Sequence, residues 1–308
     1  MAPIPDQPGD LPDLNTTLQS IVTIALWAGT IALVLYAIHL SRRDRSPIAI
    51  LLVLAVAVGS LIEPLYDISY HLFWHDFDAN GESAQWTLFE SFDLPQPVWV
   101  MPAYVVVFAG PAIFMYQGLA KGTNLRHVFK LAAITACTTA AFEILMINLD
   151  LYSYWSPQTM RVLDYPIWIA CMEAAQITTF AMLVALLWRK ATKPVHLLAA
   201  FLIFPANFAF STLGAGFPGI IAINMDDPSS VLMFLGASAS IALAAVELWW
   251  VGTMLIRDQD QQAELDELRA AAGRTVERPS ATFGGGAPPA RRESADRPAP
   301  EPAGVPAD

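Results

Sequence analysis

Residues 61–78 read LIEPLYDISYHLFWHDFD. They close a stretch that begins at Pro47, runs through LLVLAVAVGSLI and is apolar enough to cross a bilayer, and they set Glu63, Asp67 and His71 near its end. At i, i+4 and i+8 the three stack on one face of a helix. Carboxylates in or near hydrocarbon are expensive, so they face a bundle interior or a wet cavity and mark a functional site. This stretch is read as the centre of an intramembrane acid/base site.

The rest of the composition agrees with a membrane location. Of 308 residues, 55% are hydrophobic and only 15% charged, which is too apolar for a soluble domain of this size. A crossing needs about 20 mainly apolar residues. Seven segments qualify, at roughly 17–40, 47–72, 97–119, 127–149, 165–188, 196–223 and 229–256. The expected fold is all-α, a polytopic bundle of seven transmembrane helices in one domain, 17–256.

Basic residues set the expected orientation. Arg42, Arg43 and Arg45 follow the first span, Lys121, Arg126 and Lys130 lie between the third and fourth, and Arg189, Lys190 and Lys193 lie between the fifth and sixth. Arg161 alone falls in a loop on the opposite side, and the remaining seven Arg follow the last span. The positive-inside rule then puts the N-terminus outside, the C-terminus in the cytoplasm and the chain in the cytoplasmic membrane. Residues 1–16 hold Asp6, Asp10 and Asp13 but no Lys or Arg, the wrong flank for a cleaved signal peptide, so they are expected to be an extracytoplasmic segment. Residues 257–274 read as a cytoplasmic helical extension, and 275–308, rich in Pro, Ala, Gly, Arg and Glu, as a disordered tail. A net charge of −11 argues against a nucleic-acid partner. Cys137 and Cys171 sit inside spans, where apolar packing is the expected role.

Two more glutamates join the centre by depth. Glu63 lies about 24 Å along the second span and Glu143 about 24 Å along the fourth, while Glu173 lies about 12 Å below the outer end of the antiparallel fifth, with Gln176 one turn deeper. Three glutamates from three helices therefore land at nearly one level, which argues for a shared site. The third span, with Pro102, Gly110 and Pro111, is expected to line the pocket, since helix interruptions are tolerated beside a cavity. The sixth carries Pro205, Asn207, Gly214, Gly216, Pro218 and Gly219, a pattern suited to close packing or a broken helix. Glu247 falls nearer the cytoplasmic side and is read as interfacial. The aromatic and acidic loop at 71–97 reads either as a lid or as an interfacial belt with a solvated rim.

Carboxyls crowded in a low-dielectric bundle divide into protonated acids and ionised bases. Glu63, Asp67, Glu143 and Glu173 are the catalytic candidates, with His71 as a proton relay. Tyr66, Tyr70, Tyr152 and Tyr154 are placed to hydrogen-bond a substrate oxygen, and Trp74, Asp150, Gln176 and Asn207 are the further candidates for holding the substrate. Such a site suits ketal closure, dehydration, double-bond migration or alkene protonation on a greasy molecule. Nucleophile elbow, P-loop, dinucleotide fingerprint and HExxH helix are all missing from the sequence. Asp67, His71 and His75 have metal-compatible spacing but lack a second histidine-rich helix, so neither metal nor cofactor is expected. The expected partners are a lipophilic small molecule and membrane lipids. Outside enzymes the rival is a non-enzymatic binding or transport protein for a lipid or terpenoid, and the missing inverted repeat weighs against a proton-coupled transporter.

EPLYD at 63–67 with Trp74, WTLFESFDLPQPVWVMPAY at 86–104, FEILMINLDLYSYW at 142–155, DYPIW at 164–168 and the turn at Glu173 resemble the actinobacterial AveC-type spirocyclase family. The likeness covers about residues 45–190. It implies an integral membrane cyclase that forms, and in some members dehydrates, spiroketals on polyketides, with Glu63 and Asp67 as the first acid/base pair and Glu143 and Glu173 completing the site. A weaker resemblance is to the integral membrane terpene cyclases, also small seven-span proteins with acidic residues in their helices.

Overall fold

The computed structural model describes residues 12–119, 121–155 and 157–271. The expectations for the segment before residue 12 and for the tail from 275 lie outside the described residues. Seven helices are long and apolar enough to cross a membrane: α1 (Thr16–Arg43), α2 (Ile48–Tyr70), α3 (Val100–Leu119), α4 (Leu125–Ile147), α5 (Trp168–Lys190), α6 (Pro194–Ala215) and α7 (Ser230–Ala271). The protein is a seven-helix membrane bundle. α7 continues without a break to Ala271, well past the hydrophobic stretch.

Burial separates a central post from a periphery. Nearly every residue of α5 from Trp168 to Ala185 is buried, and α3, α4 and α7 all pack against it. α1 buries only a narrow stripe and presents Ile21, Ile24, Ile31 and Leu35 outward, as a lipid-facing helix does.

Prolines explain the three irregular helices. A proline cannot donate its backbone N–H, and its ring clashes with the carbonyl four residues back. In α2 the turn before Pro64 tightens to a 3₁₀ turn at Ser60–Ile62. In α3 the turn before Pro111 widens to a π-turn at Val105–Ala109. In α6, downstream of Pro205 and ahead of Pro218, residues Ala209–Ala215 form a second π-turn. The Thr212 carbonyl on that turn accepts the hydroxyl of Tyr70 from α2. Gly216 makes the approach possible, since a Cβ there would collide with the Tyr70 hydroxyl. A short helix, Phe217–Ile223, completes this region.

Short strands add to the expected all-α picture at one end of the bundle, here called the loop end. β1 (Leu72–Trp74) and β4 (Tyr152–Tyr154) pair antiparallel, as do β2 (Thr87–Ser91) with β3 (Leu94–Pro97) and β5 (Arg161–Val162) with β6 (Tyr165–Pro166). Two hairpins turn through consecutive residues with positive φ, Phe92–Asp93 and Leu163–Asp164, the geometry of a tight two-residue turn. Leu72 to His75 are buried while Phe77, Asp93 and Glu82 face outward, so the 71–97 loop is a structured cap with an acidic outer rim.

Candidate functional site

α2, α3, α4 and α5 converge beneath this cap on a cavity of about 40 Å³, enough for a few water molecules. Its wall carries three carboxyls, Glu63 from α2, Glu143 from α4 and Glu173 from α5, among Tyr66, Tyr104, Tyr152, Trp74 and Trp99. Phe108, Phe142 and Phe208 supply much of the apolar surface. The depth argument from sequence is met: three helices bring three glutamates to one cavity.

Among the described residues no ion pair reaches them, and the pairs Arg43–Asp44, Arg189–Asp258, Lys190–Asp258 and Arg269–Asp266 all lie away from this cavity. The carboxyls are instead met by neutral hydroxyls. Tyr104 donates to Glu63 Oε2 in a short contact. The Tyr154 hydroxyl lies 2.9 Å from Glu143 Oε2, Tyr66 donates to Glu173 Oε1 at 3.1 Å, and Tyr165 approaches Glu173 Oε2 at 3.4 Å. The hydroxyls of Tyr66 and Tyr154 lie 2.7 Å from one another. Burial first, and then the glutamates beside them, hold the Tyr152, Tyr154 and Tyr165 phenols above their ordinary range, so these three remain protonated donors.

The cap delivers half of this network. β4 carries Tyr152 and Tyr154, and its partner β1 carries Trp74, so one strand pair closes the cavity and positions its donors. Gln96 comes from β3. Trp74 Nε1 and Gln96 Nε2 both donate to Asp67 Oδ2, at 3.0 and 2.6 Å. Asp67 is fully buried behind them and does not line the cavity, and its Oδ1 has no hydrogen-bond partner. The expectation that Asp67 shares the cavity with Glu63 is corrected: one turn along α2 it is clamped to the cap.

His71 also leaves the stripe. It ends α2 in the left-handed conformation, φ 56°, which turns it off the helical face, and its Nε2 bonds Asn224 Oδ1 at 2.8 Å. His75 Nε2 bonds Ser153 Oγ at 2.8 Å within the cap. Both imidazoles pin loops, and burial pulls both below their ordinary titration range. Among the described residues no group of three or more His, Cys, Asp or Glu is placed to hold a metal ion.

The other candidates divide in the same way. Tyr66, Trp74 and Gln176 line the cavity, and Gln176 Nε2 is buried without a partner. Tyr154 stands behind Tyr66 as the link to Glu143. Tyr70 is spent on the π-turn carbonyl of Thr212, and Asn207 ties α6 to the Gln176 carbonyl and the Thr179 hydroxyl. Asp150 is an exposed turn residue with φ 54°. These three are not on the cavity. No family model, curated protein or solved structure matches the chain.

Sequence reasoning missed Tyr104, Tyr165 and Gln96 as ligands of the carboxyls. Tyr104 had a signal, since α3 was expected to line the pocket and Tyr104 is the residue immediately before its π-turn. Gln96 is a lone amide between two prolines, and its target is set only by the cap. Glu247 was read as interfacial and is in fact buried: it accepts from Thr179 Oγ1 at 2.9 Å and from Ser211 Oγ at 2.5 Å. Ser211 lies on the π-turn of α6, which places that hydroxyl toward α7.

Beside the cavity, an apolar groove of about 610 Å³ runs between α1, α3 and α4. Val106 lines the groove while Val107 and Phe108 line the cavity, so the π-turn of α3 is the partition between them. The groove's two threonines, Thr135 and Thr138, donate to backbone carbonyls of their own helix, which leaves an apolar surface.

Proposed function

We propose that this protein is an intramembrane acid/base cyclase or dehydratase acting on a lipophilic, oxygenated small molecule. The observation that carries this reading is the set of Glu63, Glu143 and Glu173 on one aromatic-walled cavity, with no cation in an ion pair to them among the described residues. Carboxyls so placed resist full ionisation together, which leaves an acid and a base in one site.

In ketal closure, a carboxylic acid gives its proton to the departing hydroxyl of a hemiketal, the C–O bond breaks, and water leaves. A second hydroxyl of the substrate attacks the resulting oxocarbenium ion while a carboxylate takes its proton. In dehydration the carboxylate takes a proton from the neighbouring carbon instead. Either step turns one acid into a carboxylate and one carboxylate into an acid. The cavity is sized for a small reacting group, and the cap over it limits the access of bulk water to a cationic intermediate.

The resemblance to AveC-type spirocyclases supports a spiroketal-forming reaction on a polyketide-like substrate. A second reading, a terpenoid cyclase, is favoured by the rings of Trp99, Tyr104, Phe108, Phe142 and Phe208, whose faces stabilise carbocations. The basic residues at the end opposite the cap further support a cytoplasmic-membrane protein with its N-terminus and cap outside.

The test is a comparison of lipophilic extracts from the native host with and without the gene, by mass spectrometry. Loss of a product isomeric with an accumulating precursor, or one water lighter, supports a cyclase or dehydratase. A metabolite merely redistributed between cells and medium would replace the reading with transport.

A further inference from the structure

The contacts joining Glu143, Tyr154, Tyr66 and Glu173 contain one proton more than two tyrosines provide. Three oxygen pairs are in sequence, at 2.9, 2.7 and 3.1 Å. The 2.7 and 2.9 Å pairs fit ordinary O–H···O hydrogen bonds, the 3.1 Å pair fits a longer one, and all three are too close for an interposed water. A phenol has one hydrogen to give. If Tyr154 donates to Glu143 and Tyr66 donates to Glu173, the 2.7 Å contact between the two hydroxyls has none. A hydrogen bond in all three contacts therefore takes its third hydrogen from a carboxyl at one end.

We infer that Glu143 and Glu173 are the two ends of a tyrosine proton wire that holds three shared protons and returns the proton from base to acid after each turnover. This rests on the acid/base reading above. Outside the wire itself, Glu173 has two further hydroxyl donors, Tyr165 and Thr139, where Glu143 has one, Tyr152, and so Glu173 is the end that rests as carboxylate. Glu143 is the end that rests as the acid. At rest, Glu143 donates to Tyr154, Tyr154 to Tyr66, and Tyr66 to Glu173.

When Glu143 protonates the substrate and Glu173 takes a proton from it, the wire is left reversed in charge. A turn of the two hydroxyls and three transfers restore it. Once Tyr154 points to Glu143 and Tyr66 to Tyr154, the Glu173 proton passes to the Tyr66 oxygen as the Tyr66 proton passes to Tyr154 and the Tyr154 proton passes to Glu143. Each O–H bond breaks as another forms, and no water takes part. This internal return re-arms the acid and the base without exchange with bulk solvent. Tyr66 and Tyr154 are thus positioning and relay residues with a kinetic role beyond packing.

Infrared spectroscopy of the full chain in lipid nanodiscs tests the wire without any substrate. The expected result is a protonated-carboxyl C=O band, shifted in D₂O, that disappears in Glu143→Gln and persists in Glu173→Gln. In Tyr154→Phe the same band should move, since its acceptor is gone, yet keep its intensity. A wild-type carboxyl region unchanged by Glu143→Gln, or a band lost only in Glu173→Gln, overturns the assignment. With a substrate in hand, Tyr66→Phe and Tyr154→Phe should lower steady-state turnover about 100-fold more than they lower the first turnover. Equal loss in first and later turnovers would make these tyrosines merely structural, while failure of the cyclase reading alone would leave the infrared result standing.

Discussion

Two sets of buried carboxyl groups lie in this bundle, and they differ in what surrounds them. Glu63, Glu143 and Glu173 face a cavity and are held by phenols on the cap and on neighbouring helices. Among the described residues Glu247 hydrogen-bonds Thr179 and Ser211, on helices packed directly against α7, and is not on that cavity. Burial of an acid is common to both, so burial alone does not make a site. What distinguishes the first set is space for a reactant, more than one carboxyl on that space, and hydroxyls that pass protons between them.

The sharpest way to break this comparison is to neutralise one member of each set. Glu173→Gln and Glu143→Gln keep the side-chain shape and remove the transferable proton, and each should lower turnover about 1,000-fold while the protein elutes and melts as the wild type does. Comparable loss of activity in Glu247→Gln would end the distinction. Next in size is the clamp on Asp67. Gln96→Leu removes one of two donors to a fully buried carboxyl, and should cost about 1–3 kcal/mol of stability and about tenfold in turnover through movement of Trp74, read by thermal unfolding and kcat.

A smaller effect separates the cap from the bundle. Burial holds His71 and His75 below their ordinary titration range, so the unfolded chain takes up protons there that the folded one refuses. Their contribution to stability is whole above about pH 6.5 and declines as pH falls below it. Melting temperature should therefore drop between about pH 7 and pH 5, and the drop should flatten in a His71→Gln, His75→Gln double variant. The smallest expectation is for Glu247→Gln itself. Its amide oxygen still accepts from Thr179 and Ser211, so turnover should stay within about twofold and stability within about 1 kcal/mol.

Much of the fold was legible because membranes impose long apolar runs. The expected spans lie within a few residues of the helices, with the largest differences at α6 and α7. There the chain runs on, as a short helix over Phe217–Ile223 and as a helical extension to Ala271. The shared level of Glu63, Glu143 and Glu173 was legible for the same reason, since helical rise fixes depth once the span ends are known. Which residues face the cavity was not. His71 shares a helical stripe with Glu63 only while the helix continues, and a left-handed cap at His71 ends it. Asp67 has the right depth and face, yet two donors from the cap occupy the space in front of it.

Sequence by itself determined a seven-helix membrane protein and the depth of its acidic residues, because hydrophobic length and rise per residue are local properties. Only the tertiary structure decided that Asp67 stands behind Trp74 and that Glu143 and Glu173 are joined through Tyr154 and Tyr66. Those facts depend on a strand pair between residues about 80 apart in the chain, Leu72–Trp74 against Tyr152–Tyr154, and no local periodicity encodes such a pairing.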